Sequence, residues 1–199
     1  VRTKFHFIRQ QVEKTDGSLN WCLADFVAPK GQPDYLGAFA VTAGPEAKSL
    51  ADAYKQAGHD YNAIMIEAIA DRLAEAFAEC LHKQVRTTLW GYAPGEKLTG
   101  DELIDEAYQG IRPAPGYPAC PDHSVKREMF SLLQCDEIEM GLTDSLAMTP
   151  ASSVSGFYLG HPASRYFNVG RVGDDQVQDL AKRRGVALTE LQRLLAPNL

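Results

Sequence analysis

Arg112 and Tyr117, with three prolines and a glycine packed around them, are the residues of this 199-residue chain whose types and spacing best suggest chemistry. They lie in the run Gly110-Ile111-Arg112-Pro113-Ala114-Pro115-Gly116-Tyr117-Pro118. Proline lacks an amide donor and disfavours helical geometry in the residue before it, so this run reads as a stiff extended loop with exposed main-chain groups. Such a strip can read the edge of a heterocycle through its backbone while an arginine grips a carboxylate with a two-pronged fork. A plain connecting loop with an ion-paired arginine accounts for the same residues, so both roles stay open at this level.

Other candidates stand near that run in sequence or carry compatible charge. Asp71, Glu75 and Glu79 recur at four-residue spacing and form either a solvated acidic face or a set of docking or cation-facing carboxylates. Glu106 precedes Arg112, and Glu106 or Glu75 could offset a cationic ligand. The segment Cys120-Pro121-Asp122-His123 resembles half of a zinc site, but no second Cys/His cluster supplies the three or four ligands a closed site needs. No metal is therefore expected. His123 is either an ordinary solvent-facing histidine or a residue that meets a partner.

The elements that must hold these residues can be read from periodicity. Residues 4–8 alternate as a half-buried strand would, and 21–27 and 35–42 also read as strands, so the pieces at 1–10, 20–28 and 35–42 suggest an antiparallel meander. One long amphipathic helix is expected over 60–86, with Ile64, Met65, Ile69, Leu73, Ala76, Phe77, Cys80 and Leu81 on its core side. A short helix near 100–108 is capped by Thr99 or Asp101, and another spans 124–134 after Asp122 or Ser124. Residues 154–159 and 166–172 look like paired strands. Two helices, 175–184 and 189–195, flank Gly185 as a left-handed cap. The expected fold is α+β, a twisted antiparallel sheet with flanking helices and the proline loop at its edge, in one domain over residues 1–199.

Composition narrows the function classes. The net charge of −6 argues against nonspecific binding to nucleic acid or anionic membranes. No apolar run reaches the roughly 20 residues of a membrane span. The tail mimics a DNA-reading helix-turn-helix, but residues 174–199 hold four acidic and four basic side chains, too little positive charge for phosphates. Four widely spaced cysteines without a Cys-x-x-Cys pair suit a reducing cytoplasm. The start, Val1-Arg2-Thr3-Lys4, has no signal-peptide character and reads as a cut end. There is no Gly-x-Gly-x-x-Gly, no phosphate-binding loop and no nucleophile elbow.

The run YQGIRPAPGYPACPDH, with its Arg-x-x-x-Gly-Tyr core, resembles the S-adenosylmethionine-binding activation domain at the C-terminus of cobalamin-dependent methionine synthase. The likeness continues in Cys22–Lys30, in Asp71–Glu79, in Trp90-Gly91-Tyr92, in Ser153–Gly156 and in the closing Leu195–Leu199, and it covers essentially the whole chain. It implies a methyltransferase part that binds S-adenosylmethionine, with Arg112, Ala114 and the pair Tyr166-Phe167 at the positions of the family's cofactor contacts; the loop chemistry adds the backbone at Pro113 and Gly116, Tyr117 closing over the reactive end, and Glu106 or Glu75 against the cationic charge. His123 and Asp71 would face a partner. The methyl would go to cobalamin held by a neighbouring module: cob(II)alamin takes an electron from flavodoxin or a similar reductant, and the cobalt then acts as nucleophile. The chain itself lacks the Asp-x-His-x-x-Gly of cobalamin-binding modules and needs no catalytic base. Two departures stand out. Phe167 occupies a position where relatives often carry tyrosine, and a preceding segment that supplies an aspartate to the cofactor's ammonium is missing. Asp25 lies in another motif and does not inherit that role. A stand-alone module for another corrinoid protein, or a fragment that only docks, are the alternatives.

Overall fold

The computed structural model describes residues 3–199 and shows the expected α+β class, a mixture of helices and small sheets. By Cα packing the chain divides into two compact units, one of Val1–Gly37, Gln109–Glu128 and Phe157–Leu199, the other of Ala38–Tyr108 and Met129–Gly156. Strand β1 (Gly37–Thr42) pairs with β4 (Ser153–Tyr158), while β2 (Gly141–Leu142) pairs antiparallel with β3 (Met148–Thr149).

The second unit is built on a helical hairpin of α1 (Pro45–Gln56) and α2 (Asp60–Gln84). Pro45 at the first position of α1, with Glu46 in its first turn, suits a helix start, because proline's missing donor costs nothing there and an acid complements the dipole. Helix α2 forms where its periodicity predicts, but with the opposite face inward. Ala63, Ala70, Ala74 and Ala78 are buried, while Ile64, Met65, Ile69, Leu73 and Phe77 are exposed and Cys80 is an exposed thiol. Small side chains let neighbouring backbone approach closely, so the alanine row rather than the bulky row fits the packed side. Helix α3 (Gly100–Ile104) starts at a Thr99–Glu102 capping box, and Phe130 and Leu133 of α4 (Val125–Leu133) pack with Cys135, Met140, Leu142, Met148 and Ala40.

The first unit has its core in Ile8, Val169, Val172, Val177, Leu180, Ala181, Leu191 and Leu195. Helices α5 (Asp174–Arg184) and α6 (Leu188–Leu194) meet around Gly185, whose φ of 68° is the expected left-handed cap. Two acids open α5 and three bases close it, matching its dipole.

The meander does not form; β1 takes β4 as its partner instead. Residues 3–12 are irregular because their polar groups find isolated partners rather than a ladder. Gln10 N–H donates to the Trp21 carbonyl at 3.0 Å, and the Gln10 side chain bridges Trp21 N–H and the Asn168 carbonyl. Residues 1 and 2 of that expected strand lie outside the described residues. Residues Leu23–Phe26 form a 3-10 turn closed by Asp25, which accepts from Cys22 N–H at 2.9 Å. The segment 166–172 is no strand either, since Val169 N–H donates to Pro118 and Val172 N–H to Asn198.

Candidate functional site

The proline strip lies along the end of β4, as an edge should. Ile111 and Leu159 form an antiparallel bridge with both N–H···O bonds at 3.0 Å, and Phe157 N–H donates to the Pro113 carbonyl at 2.9 Å. A proline fits this place because an edge residue needs only its carbonyl there. Burial then alternates with a period of two: Ile111, Pro113 and Pro115 are buried, while Arg112, Ala114 and Gly116 are half-exposed. An extended chain points alternate residues to opposite sides. Arg112, Ala114 and Gly116 therefore share one open face, and Tyr117 follows it, exposed.

The strip ends in a tight turn. Gly116 N–H donates to the Cys120 carbonyl at 2.7 Å and Cys120 N–H to the Tyr117 carbonyl at 2.8 Å. Gly116 has φ of 95°, and a Cβ placed on it would lie 2.0 Å from His123 Cε1. Glycine is required twice over, by its backbone angle and by the imidazole resting on it. Burial and the Lys126 charge hold the His123 pKa below its ordinary value.

Behind the turn sits a buried charge network that composition does not announce. The Arg184 guanidinium pairs with Asp122, whose other oxygen accepts from Ser124 N–H at 2.9 Å and Ser124 Oγ at 2.6 Å. Arg184 also donates to Ser124 Oγ at 2.6 Å and lies 3.5 Å from Glu128. Thus the last turn of α5 is tied to the residues that follow the strip, and Asp122 is committed to Arg184 rather than to a metal. Cys120 is buried in the same stretch, and burial pushes its thiol pKa strongly up. Among the described residues no group of three or more His, Cys, Asp or Glu is arranged to hold a metal ion.

Tyr166 joins the site from far along the chain. Its hydroxyl oxygen accepts the Arg112 N–H at 3.1 Å across a separation of 54 residues. Phe167 turns the other way, packing on the apolar core with its ring 6.5 Å from that of Phe26. Arg112, Pro113, Ala114, Gly116, Tyr117, Tyr166, Phe167 and His123 all belong to the first unit, whereas Glu75, Asp71 and Glu106 belong to the second. Glu75 and Asp71 stand exposed on α2. Glu106 follows α3 with φ of 53°, a left-handed angle that costs a non-glycine residue energy and that collects at functional sites. Asp25 is held by both guanidinium nitrogens of Arg9, which keeps its carboxyl below the usual range.

A second buried arginine was not foreseen. Arg86 is fully buried in a π-helical turn, Val85–Leu89, that extends α2. Its guanidinium takes Glu96 at 2.6 and 2.8 Å, lies 3.9 Å from Glu79, and stacks 3.8 Å over the Tyr108 ring. His82, also fully buried, meets the same ring edge-on at 5.0 Å. Burial pushes neighbouring Tyr92 up to about 12. The cluster therefore anchors Tyr108, the residue from which the chain enters the strip. A π-helical turn is a known companion of functional sites, but nothing in the residue pattern marks one.

The family described as the activation domain of vitamin B12-dependent methionine synthase matches residues 1–185. A crystal structure of the MetH reactivation domain bound to AdoHcy superposes with a TM-score of 0.95 at 58% sequence identity. The match covers 98% of this chain and 60% of that one, so these residues span less than two thirds of the solved chain. With the strip, its edge pairing and its tyrosine partner in place, the chain belongs to the family of vitamin B12-dependent methionine synthase activation domains.

Proposed function

We propose that this chain binds S-adenosylmethionine on the open face of the strip and presents its methyl group to cobalamin held by a separate module, which restores methionine synthase after accidental oxidation. The single observation that carries this reading is the Arg112–Tyr166 bond, because it brings two sequence-distant parts of the expected site onto one surface. When bound, S-adenosylmethionine supplies a methyl group made electrophilic by its sulfonium.

The residues present fit that ligand. Arg112 offers the planar fork a carboxylate requires, and its half-buried position strengthens the pair relative to open water. Ala114 and Gly116 keep the shared face low, so a flat heterocycle can approach the main chain. Tyr117, exposed at the turn, is free to close over the reactive end. Tyr166 fixes the Arg112 backbone, while Phe167 contributes through its main chain because its ring is taken up by the core. His123 holds Gly116 in place and keeps an exposed edge toward the cobalamin module, with Asp71 serving that module on α2. Orientation and charge placement are the whole contribution, and they can yield large rate factors when reacting atoms are held in line.

The neighbouring module and an electron donor such as flavodoxin are partners in this proposal. Three of the four free thiols are buried, which supports a reducing cytoplasm. Among the described residues no helix is long and apolar enough to cross a membrane. Calorimetric titration with S-adenosylmethionine, beside Arg112→Ala, tests the reading. Saturable binding that the variant weakens by about 1.5–3 kcal/mol, the scale of a charged hydrogen bond, supports it. Equal binding by both proteins would remove Arg112 from the site. No binding by the unaltered chain would favour a fragment that only docks.

A further inference from the structure

A closed ring of polar contacts joins helix α5 to the residues that follow the strip. One nitrogen of the Arg184 guanidinium donates to Asp122 and, at 2.6 Å, to Ser124 Oγ. Ser124 in turn gives its hydroxyl at 2.6 Å and its N–H at 2.9 Å to the other Asp122 oxygen. The second guanidinium nitrogen lies 3.5 Å from Glu128. The Arg184 and Asp122 side chains are 9 and 3% exposed, and Ser124 is fully buried. His123 stands between Asp122 and Ser124 yet is exposed, and its imidazole rests on Gly116. An exposed ring is therefore carried on a segment clamped on both sides.

Helix α4 does not require the guanidinium, since Asp122 already satisfies the Ser124 N–H just before its first turn. A buried ion pair is also a weak source of stability, because desolvation offsets most of its attraction. What the ring does supply is fixed geometry beside a residue that lacks it. Gly116, at φ of 95°, has backbone freedom that no side chain of its own restricts, and the His123 ring is what packs against it. We propose that Arg184 is a positioning residue of the cofactor site: acting through Asp122 and Ser124, it holds His123 against Gly116 and so sets the end of the face shared with Arg112 and Ala114. The proposal rests on the S-adenosylmethionine reading of that face, where small misplacements of a bound group are costly.

A double-mutant cycle in S-adenosylmethionine affinity, measured by calorimetry below the unfolding temperature of every variant, tests it. Arg184→Met and His123→Ala should each weaken binding about tenfold, and the double variant little more than either alone, because both remove the same support. Ser124→Ala keeps the buried charge pair, so it reports even if Arg184→Met fails to fold. It should weaken binding a few-fold, and that effect should vanish in the His123→Ala background. Affinity within about twofold of the parent in the Arg184 and Ser124 variants, with only the melting temperature lowered, would overturn the proposal and leave a purely structural network. Losses that multiply in full with His123→Ala would overturn it too, since Arg184 would then act by another route. A parent chain that does not bind S-adenosylmethionine would instead overturn the cofactor reading itself, an outcome visible before any variant is compared.

Discussion

The proline strip and helix α2 make opposite use of residue pattern. In the strip, the types themselves carry the meaning: prolines forbid a helix, the glycine is required by its angle and by the ring of His123, and one arginine stands on the open face. In α2 the apolar period announces a helix at the right place yet not which side is packed. The alanine row goes inward and the bulky row outward. Identity is thus readable where backbone chemistry restricts the choice, and ambiguous where two faces are both apolar and only the neighbours decide.

The largest effect that would sharpen the contrast lies at the base of α2. Arg86→Met should destabilise the chain by about 3–5 kcal/mol in denaturant unfolding, because Glu96 would be left buried and uncompensated. A loss under about 1 kcal/mol, the range of exposed ion pairs, would mean that Arg86 is not an internal anchor.

The faces of α2 can be compared directly. Ala74→Leu should cost about 1–3 kcal/mol by overpacking the buried row. Leu73→Ala, one position away, should stay within about 0.5 kcal/mol, as exposed substitutions usually do. The reverse order in thermal or urea unfolding would restore the face that periodicity alone suggests.

Within the strip, Tyr166→Phe removes the acceptor of the Arg112 N–H and should weaken S-adenosylmethionine binding by about 0.5–1.5 kcal/mol, the net worth of a neutral hydrogen bond. Unchanged affinity would separate Tyr166 from the site.

The smallest effect concerns pH. The folded pKa of His123 is depressed, so the unfolded chain binds more protons and the contribution to stability is present above the ordinary histidine value near 6.5. It is lost as pH falls through the folded value. His6, half-buried near Arg183 and Arg184, acts in the same direction. His123→Gln should flatten part of the stability decline below pH 6.5, read as denaturant midpoint against pH, whereas an unchanged slope would place the titration elsewhere.

Much of the fold was legible. The extent of α2, the Thr99 cap, the Gly185 cap and the edge position of the strip follow from local chemistry that tertiary contacts did not override. Helix α1 went unread because its alanines, lysines and serine carry little apolar period, and its start depends on Gly44 and Pro45. The expected strands at 4–8 and 166–172 failed because their donors find partners one at a time, from a glutamine side chain, from Pro118 and from the C-terminal residues. For the site, Arg112 was visible from its own surroundings, and the resemblance named Tyr166. Arg184 and Arg86 were invisible: an arginine near a helix end reads as solvated until its buried carboxylate partner, 62 or 10 residues away, is known.

The central claim is that S-adenosylmethionine occupies the face shared by Arg112, Ala114 and Tyr166. Amide chemical-shift mapping during titration with the ligand tests it most directly. The account predicts that the largest shifts fall at Arg112, Ala114, Gly116, Tyr117 and Tyr166, with the Arg86 cluster and the exposed ridge of α2 undisturbed. Saturable shifts centred away from the strip, with Arg112 and Tyr166 unmoved, would contradict it.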